Sequence, residues 1–261
     1  MPSLYAHYRF GTQLLPRLPA DIRGTITRHR AMFDAGLQGP DFFFYHKPGA
    51  HSAVRHLGSA LHRQTGREFF TRSCRGLRID SDEEVLAYLY GLLGHYCLDS
   101  VCHPYIHEQS GGDSRKHNAM ESEFERFLLA QDGARRPHAH RRSKYLRLTK
   151  AQCGLIAPFY APATAQEIYE AATAMAHVTD LLTSGSGLYR LAAKGVLRTL
   201  GTEKLGLLMG SRPDEEFAAS NAALCACYDR ALDRYPELMD RLRDHLTFRE
   251  PLGAEFDAIF G

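Results

Sequence analysis

Residues 81–104 read SDEEVLAYLYGLLGHYCLDSVCHP, from Ser81 to Pro104, and their periodicity decides the fold class. Ser81-Asp82-Glu83-Glu84 has the form of a capping box, with the Ser81 hydroxyl on a free backbone N–H and Glu84 reaching back. Beyond it Leu86, Leu89 and Leu93 recur at helical spacing, and no glycine–proline cluster interrupts the run to His103. Working outward, Thr164-Ala165-Gln166-Glu167 repeats the cap signature ahead of a run to Leu182. Helical patterns also cover residues 52–65, 117–132, 150–160, 213–234 and 236–245. The apolar–polar alternation of strands is scarce. Phe42-Phe43-Phe44-Tyr45 lies between Gly39-Pro40 and Lys47-Pro48-Gly49 and reads as an anchored loop. Breaker-rich loops fall near 108–116, 132–144 and 183–188, and neither a repeat nor a long linker stands out. The pattern predicts an all-α fold, a single multi-helix domain over residues 1–261.

Composition narrows the function classes. Hydrophobic residues make up 44% and charged residues 24% of the 261, which argues for a packed core and against a disordered chain. The net charge of +2 is too balanced to suggest a nucleic-acid groove. The longest nearly unbroken apolar run, Val85 to Gly94, is about half of what spans a bilayer, so no transmembrane helix is expected. The start, Met1-Pro2-Ser3-Leu4, shows no secretory signal, and the six cysteines form no CxxC pair. Reduced thiols and a cytoplasmic location are the expectation. Histidine is the unusual number: 12 of the 14 lie at or before His140.

Three passages carry the chemistry. On a helix, His95, Asp99 and His103 at i, i+4 and i+8 share one face and line up over about 12 Å. That is too long for one ion, but it suits two ions joined by the middle carboxylate. Pro104 disfavours helical geometry at His103, so this histidine is expected to close the helix and turn toward the second ion. His117 and Glu121, four apart, form a two-ligand clip for zinc or, equally, a surface ion pair. Glu123 and Glu125 point to other faces and read as solvated. Asp41, just before four aromatics, is an expensive neighbour for them unless a cation holds it; an exposed loop aspartate is the alternative.

Together with His7, these passages resemble the zinc-dependent phospholipase C family over about residues 4–125, most specifically in the paired HxxxD…H and HxxxE. The resemblance implies an all-α fold of the phospholipase C and P1 nuclease type. His7 matches the family's early histidine and Asp41 its loop aspartate; His62 is the match chosen for the next histidine, with His56 and His51 as alternatives. It further implies that Asp41, His62 and His95 hold one ion and that Asp99 bridges it to a second that His7 also binds. His103, His117 and Glu121 would hold the third, giving two or three Zn2+ ions in all. In secreted members the amine of a terminal tryptophan completes the ion near the early histidine. This chain has no tryptophan and begins Met1-Pro2, so its own amino terminus or water would take that place.

The activity implied is hydrolysis of a phosphodiester by a metal-activated water, with Asp41 as ligand and as the group that orients or deprotonates the water. The substrate would be a phosphoester, phospholipid among the candidates, with no stable membrane insertion and no nucleic-acid partner. No C-terminal lipid-binding domain is recognisable after about residue 215, and the second half of the chain reads as packing helices. A single-strand nuclease or phosphatase on the same metal chemistry is one alternative. For it the basic stretch Arg135 to Arg142, with Lys144, would touch phosphate; as a solvated loop the stretch has no such role. A helical metal-binding protein without turnover is the other.

Overall fold

A computed structural model describes residues 4–48, 50–183 and 185–261. It is all-α, and among the described residues the only β-pairing is an isolated bridge between Thr65 and Ile259. The helix spanning Glu83–Ser110 runs through the centre of the molecule. Every residue from Val85 to Ser100 is buried, so the helix is apolar on all sides because neighbours cover all sides. By length and composition it could cross a bilayer, but its apolar window is 94% buried inside the protein, the mark of a core helix.

In chain order the helices are α1 (Leu4–Leu14), α2 (Ala20–Arg28), α3 (Arg30–Gly36), α4 (Ala53–His62), α5 (Gly66–Ser73) and α6 (Glu83–Ser110). There follow α7 (Ser114–Gln131), α8 (Lys150–Ile156), α9 (Ala165–Leu182), α10 (Gly187–Leu200) and α11 (Ala218–Phe248). The periodicity reading missed α1, α2, α3, α5 and α10, the first three because Gly24, Pro16 and Pro19 break the pattern into short pieces. One apolar cluster joins Leu4 and Phe10 of α1 to Leu93 of α6, Tyr235 of α11 and Phe260 near the chain end.

The α3–α6 crossing is the tightest. A Cβ on Gly36 would lie 2.1 Å from the Tyr88 carbonyl, and one on Gly91 would lie 2.1 Å from the Phe33 carbonyl. Only glycine at both positions lets the two backbones touch. That contact sets the end of α3, and hence the 3-10 helix Gly39–Tyr45 that follows it, against α6.

Several local expectations need correction. Ser81 is not the N-cap of α6: Asp82 takes that role and accepts from the Glu84 N–H at 2.7 Å, while Ser81 Oγ accepts from the Arg78 N–H. A carboxylate is the better partner there for the positive end of the helix dipole. Pro104 does not end α6, which continues to Ser110 and stops at Gly111, in the left-handed region at φ 58°. Burial of Cys102, His103 and Ile106 on both sides of the proline holds the helix through it, against a penalty of about 3 kcal/mol. Pro236 is likewise carried inside α11, so one helix stands where two were expected. The cap at Thr164 is a complete capping box, as its sequence suggests.

Candidate metal centre

Five elements bring the predicted residues together. His7 comes from α1, Asp41 from the 3-10 helix, His62 from the last turn of α4, and His95, Asp99 and His103 from one face of α6. His117 and Glu121 stand on the first two turns of α7, which the short link 111–113 folds back beside the end of α6. All eight are buried except His117, whose side chain is 20% exposed.

They form two groups, in each of which one donor atom per residue lies within 4.8 Å of the others: Asp41, His62, His95 and Asp99, and then His103, His117 and Glu121. In the first, His62 Nε2 lies 2.8 Å from Asp41 Oδ1 and His95 Nε2 3.4 Å from Asp99 Oδ2. In the second, Glu121 Oε1 lies 2.9 Å from His117 Nε2 and 3.3 Å from His103 Nε2. Asp99 joins them, since its Oδ2 is also 3.7 Å from His103 Nδ1. Its other oxygen, Oδ1, is 3.0 Å from His7 Nε2, and the His7 ring stacks on His95 at 4.7 Å. The expectation that the amino terminus ligates there falls on Met1 to Ser3, outside the described residues. His51 and His56 sit exposed against one another, rings 5.4 Å apart, and the fold does not bring them to Asp41.

The ring orientations are set from behind. His62 Nδ1 donates to the Gly58 carbonyl at 2.8 Å and His95 Nδ1 to the Leu37 carbonyl at 3.2 Å, which turns each Nε2 toward the carboxylates. Gly39, in the left-handed region at φ 47°, is needed just there, because a Cβ on it would meet His95 Cδ2 at 2.5 Å.

The charges of the two groups differ. Burial pushes His95 down to about 4, helped by the neighbouring His7 and His62 and only partly opposed by Asp99 and Asp41. Burial also acts against a charge on His103, but the Asp99 and Glu121 carboxylates outweigh it and raise His103 to about 9. Burial works to raise Asp41 and Glu121, yet neighbouring positive charge outweighs it and holds each at about 2, at Glu121 from His103 and His117, and Asp99 is held low by His103, His95 and His7. Three ionised carboxylates therefore stand buried among five imidazoles.

The residues fit a metal. His95 Nε2, Asp99 Oδ2 and Glu121 Oε2 are buried with no hydrogen-bond partner, and each such group costs about 1–3 kcal/mol unless something satisfies it. A divalent cation in each group would satisfy them at once. Imidazole nitrogens with carboxylate oxygens and no thiolate form a donor set suited to zinc.

The family described as zinc-dependent phospholipase C matches residues 6–156, more than half of the chain and a span within which all eight of these residues lie. The chain belongs to that family. No curated protein and no solved structure matches it. Family membership identifies it as a zinc-dependent phosphoester hydrolase at the coarse level, on an all-α fold. Residues 157–261 lie outside the match.

Around the centre, some side chains depart from expectation. Glu123 and Glu125 are not solvated: both are buried, Glu123 with Arg126 at 2.8 Å, Glu125 with the Tyr5 N–H at 2.6 Å and with Arg142. Arg142, from the basic stretch, is thus buried too, while Arg135, Arg136, Arg141 and Lys144 are exposed. The reason is that two later segments cover faces of α7 that sequence periodicity assigns to solvent: the link after α7 brings Arg142 to Glu125, and the Asp214 N–H donates to Glu123 at 3.3 Å. The second half of the chain does more than pack. Residues 258–261 run alongside 62–66, the Gly261 N–H donates to the His62 carbonyl at 3.2 Å, and the Phe260 ring lies 6.2 Å from that of His95. His107, one turn beyond His103, places its ring 5.4 Å from His103 and 5.3 Å from His117. Its i+4 spacing from His103 was the available signal; for Phe260 and Gly261 the sequence holds none.

Proposed function

We propose that the protein hydrolyses a phosphodiester bond in a phospholipid-type substrate, with water as the nucleophile. The observation that carries this reading is the pair of ligand groups joined through Asp99, a donor arrangement that would hold two cations side by side as phosphodiester hydrolysis requires. Asp41, His62, His95 and Asp99 would hold one ion and His103, His117 and Glu121 another, with His7 and Asp99 available to a third. Zinc bound there supplies positive charge to the phosphate oxygens and acidifies a water toward a pKa of about 7. The chain's own residues do the remaining work. Asp41, ionised and buried beside His62, orients the attacking water. His95, kept neutral by burial, presents a lone pair rather than a competing charge. Phe44, its ring 4.9 Å from that of His62, and Phe260, its ring 6.2 Å from that of His95, keep bulk water from that side and strengthen each electrostatic contact.

The test compares hydrolysis of a choline phosphodiester with that of single-stranded DNA and of a phosphomonoester, before chelation, after it, and after zinc is restored. The lipid-type diester should be the preferred substrate, and activity should vanish and return with the metal. Asp41→Asn should lower turnover more than zinc content; equal losses would leave it a ligand only. Faster cleavage of DNA or of the monoester would replace the phospholipid reading, and zinc binding without turnover on any of the three would end it.

A further inference from the structure

Helix α10 carries two apolar faces where a surface helix needs one. Ala193 and Leu197 turn inward and pack with Leu182 of α9 and with Leu205 and Leu208, a small cluster separate from the main core. On the opposite side, Leu188 and Leu191 are 77% and 67% exposed, and on the adjoining flank Tyr189 and Val196 are 61% and 55% exposed. The interval Gly187–Leu200 contains no acidic residue, and its exposed charges, Lys194 and Arg198, are both positive. The basic stretch adds to the same end of the molecule: the Arg136 guanidinium donates to the Gly185 carbonyl at 3.0 Å, just ahead of α10.

The segment that follows α10 reaches the edge of the candidate centre. After Gly201 the chain forms a 3-10 helix, Thr202–Leu207, that packs on the start of α7. There Asn118, next to His117, donates to the Glu203 carbonyl at 3.2 Å, and Gly206 sits against the backbone of Arg115 and Ala119. His117 is the most exposed of the ligand-type residues, so the double-faced helix is anchored beside the more open edge of the centre.

We infer that α10 docks the protein on a bilayer surface that carries anionic lipid. Leu188, Leu191 and Val196 enter the headgroup region, while Lys194, Arg198 and the exposed Arg136 meet phosphate groups. Charge decides between occupants: a second copy would set the same cations against one another, whereas an anionic surface complements them. The inference rests on the phospholipid reading and deepens it, because it says how a water-borne catalyst with a buried site reaches a lipid headgroup.

The full chain lacks tryptophan, so Leu191→Trp gives a single reporter on the exposed face. With sucrose-loaded vesicles of phosphatidylcholine and phosphatidylglycerol in equal parts, the protein should sediment and the reporter emission should shift to the blue. Vesicles of phosphatidylcholine alone should bind it more weakly, and added salt should weaken the anionic case. Leu188→Glu with Leu191→Glu should reduce binding at least about tenfold, and Lys194→Glu or Arg198→Glu about fivefold each. Hydrolysis of a soluble short-chain phosphodiester, measured on the same variants, should not change. Cleavage of that substrate without vesicle binding overturns the docking inference and leaves the proposed function standing. Vesicle binding without cleavage of any phosphodiester does the reverse. A dimer in sedimentation velocity that Leu188→Glu with Leu191→Glu dissolves, with no vesicle binding, would assign the face to a second copy and overturn the inference.

Discussion

The group around Asp41 and the group around His117 use the same two side-chain types, yet they are built in opposite ways. His103, His117 and Glu121 come from the end of one helix and the start of the next, across the three-residue link 111–113. Asp41, His62, His95 and Asp99 come from three elements that meet only when α3 packs against α6 through Gly36 and Gly91. The local group keeps an edge near solvent, and its His103 favours the charged form; the assembled group is sealed, and its His95 favours the neutral form. At His95 burial and two neighbouring imidazoles outweigh the carboxylates and leave a ready ligand, whereas at His103 the carboxylates outweigh burial and leave a histidine that must lose a proton before a metal can bind.

The largest effect is expected where the groups join. Asp99→Ala should strip the metal-free protein of about 3–5 kcal/mol, because His7, His95 and His103 lose their shared carboxylate. It should also remove zinc from both groups, read by metal analysis and denaturant unfolding. If only one group loses its zinc, Asp99 does not link them.

Next come the substitutions that separate them. His117→Ala or Glu121→Ala should remove about one equivalent of zinc and leave the sealed group loaded, whereas His62→Ala should do the converse. Loss of all metal in each variant would show a single cooperative centre instead of two.

A smaller effect, with opposite signs, is expected from pH in the metal-free protein. His103 is raised, so its proton stabilises the fold fully below about pH 6.5, and that contribution is lost as pH rises through about 9. His95 is lowered, so stability is lost as pH falls from about 6.5 to about 4, where the unfolded chain takes up a proton that the fold resists. Urea unfolding in the presence of chelator should show His103→Gln flattening the alkaline limb and His95→Gln the acid limb, each by on the order of 1–3 kcal/mol. Identical limbs in both variants would erase the contrast in charge.

The smallest expected effect is none. His51→Ala and His56→Ala should keep full zinc content and stability within about 0.5 kcal/mol, as exposed positions outside both groups. Zinc loss in either would reopen the choice of His62.

What the chain revealed by itself follows the same division. The central helix, the all-α class and the HxxxD…H and HxxxE spacings were legible because helical periodicity is a local property. Residues four apart share a face whatever surrounds them, so His95, Asp99, His117 and Glu121 could be read directly. The choice of His62 over His51 and His56 needed the packing of α4 on the Asp41 segment, the burial of Glu125 and Arg142 needed the link after α7 to fold back, and that of Glu123 needed the segment at Asp214. Tertiary structure alone decided that α6 runs through Pro104, since the packing of Cys102, His103 and Ile106 outweighs a local preference of about 3 kcal/mol. It alone set residues 258–261 beside His62, because contacts about 200 residues apart depend on which surfaces remain uncovered once the helices have packed, and no local pattern records that.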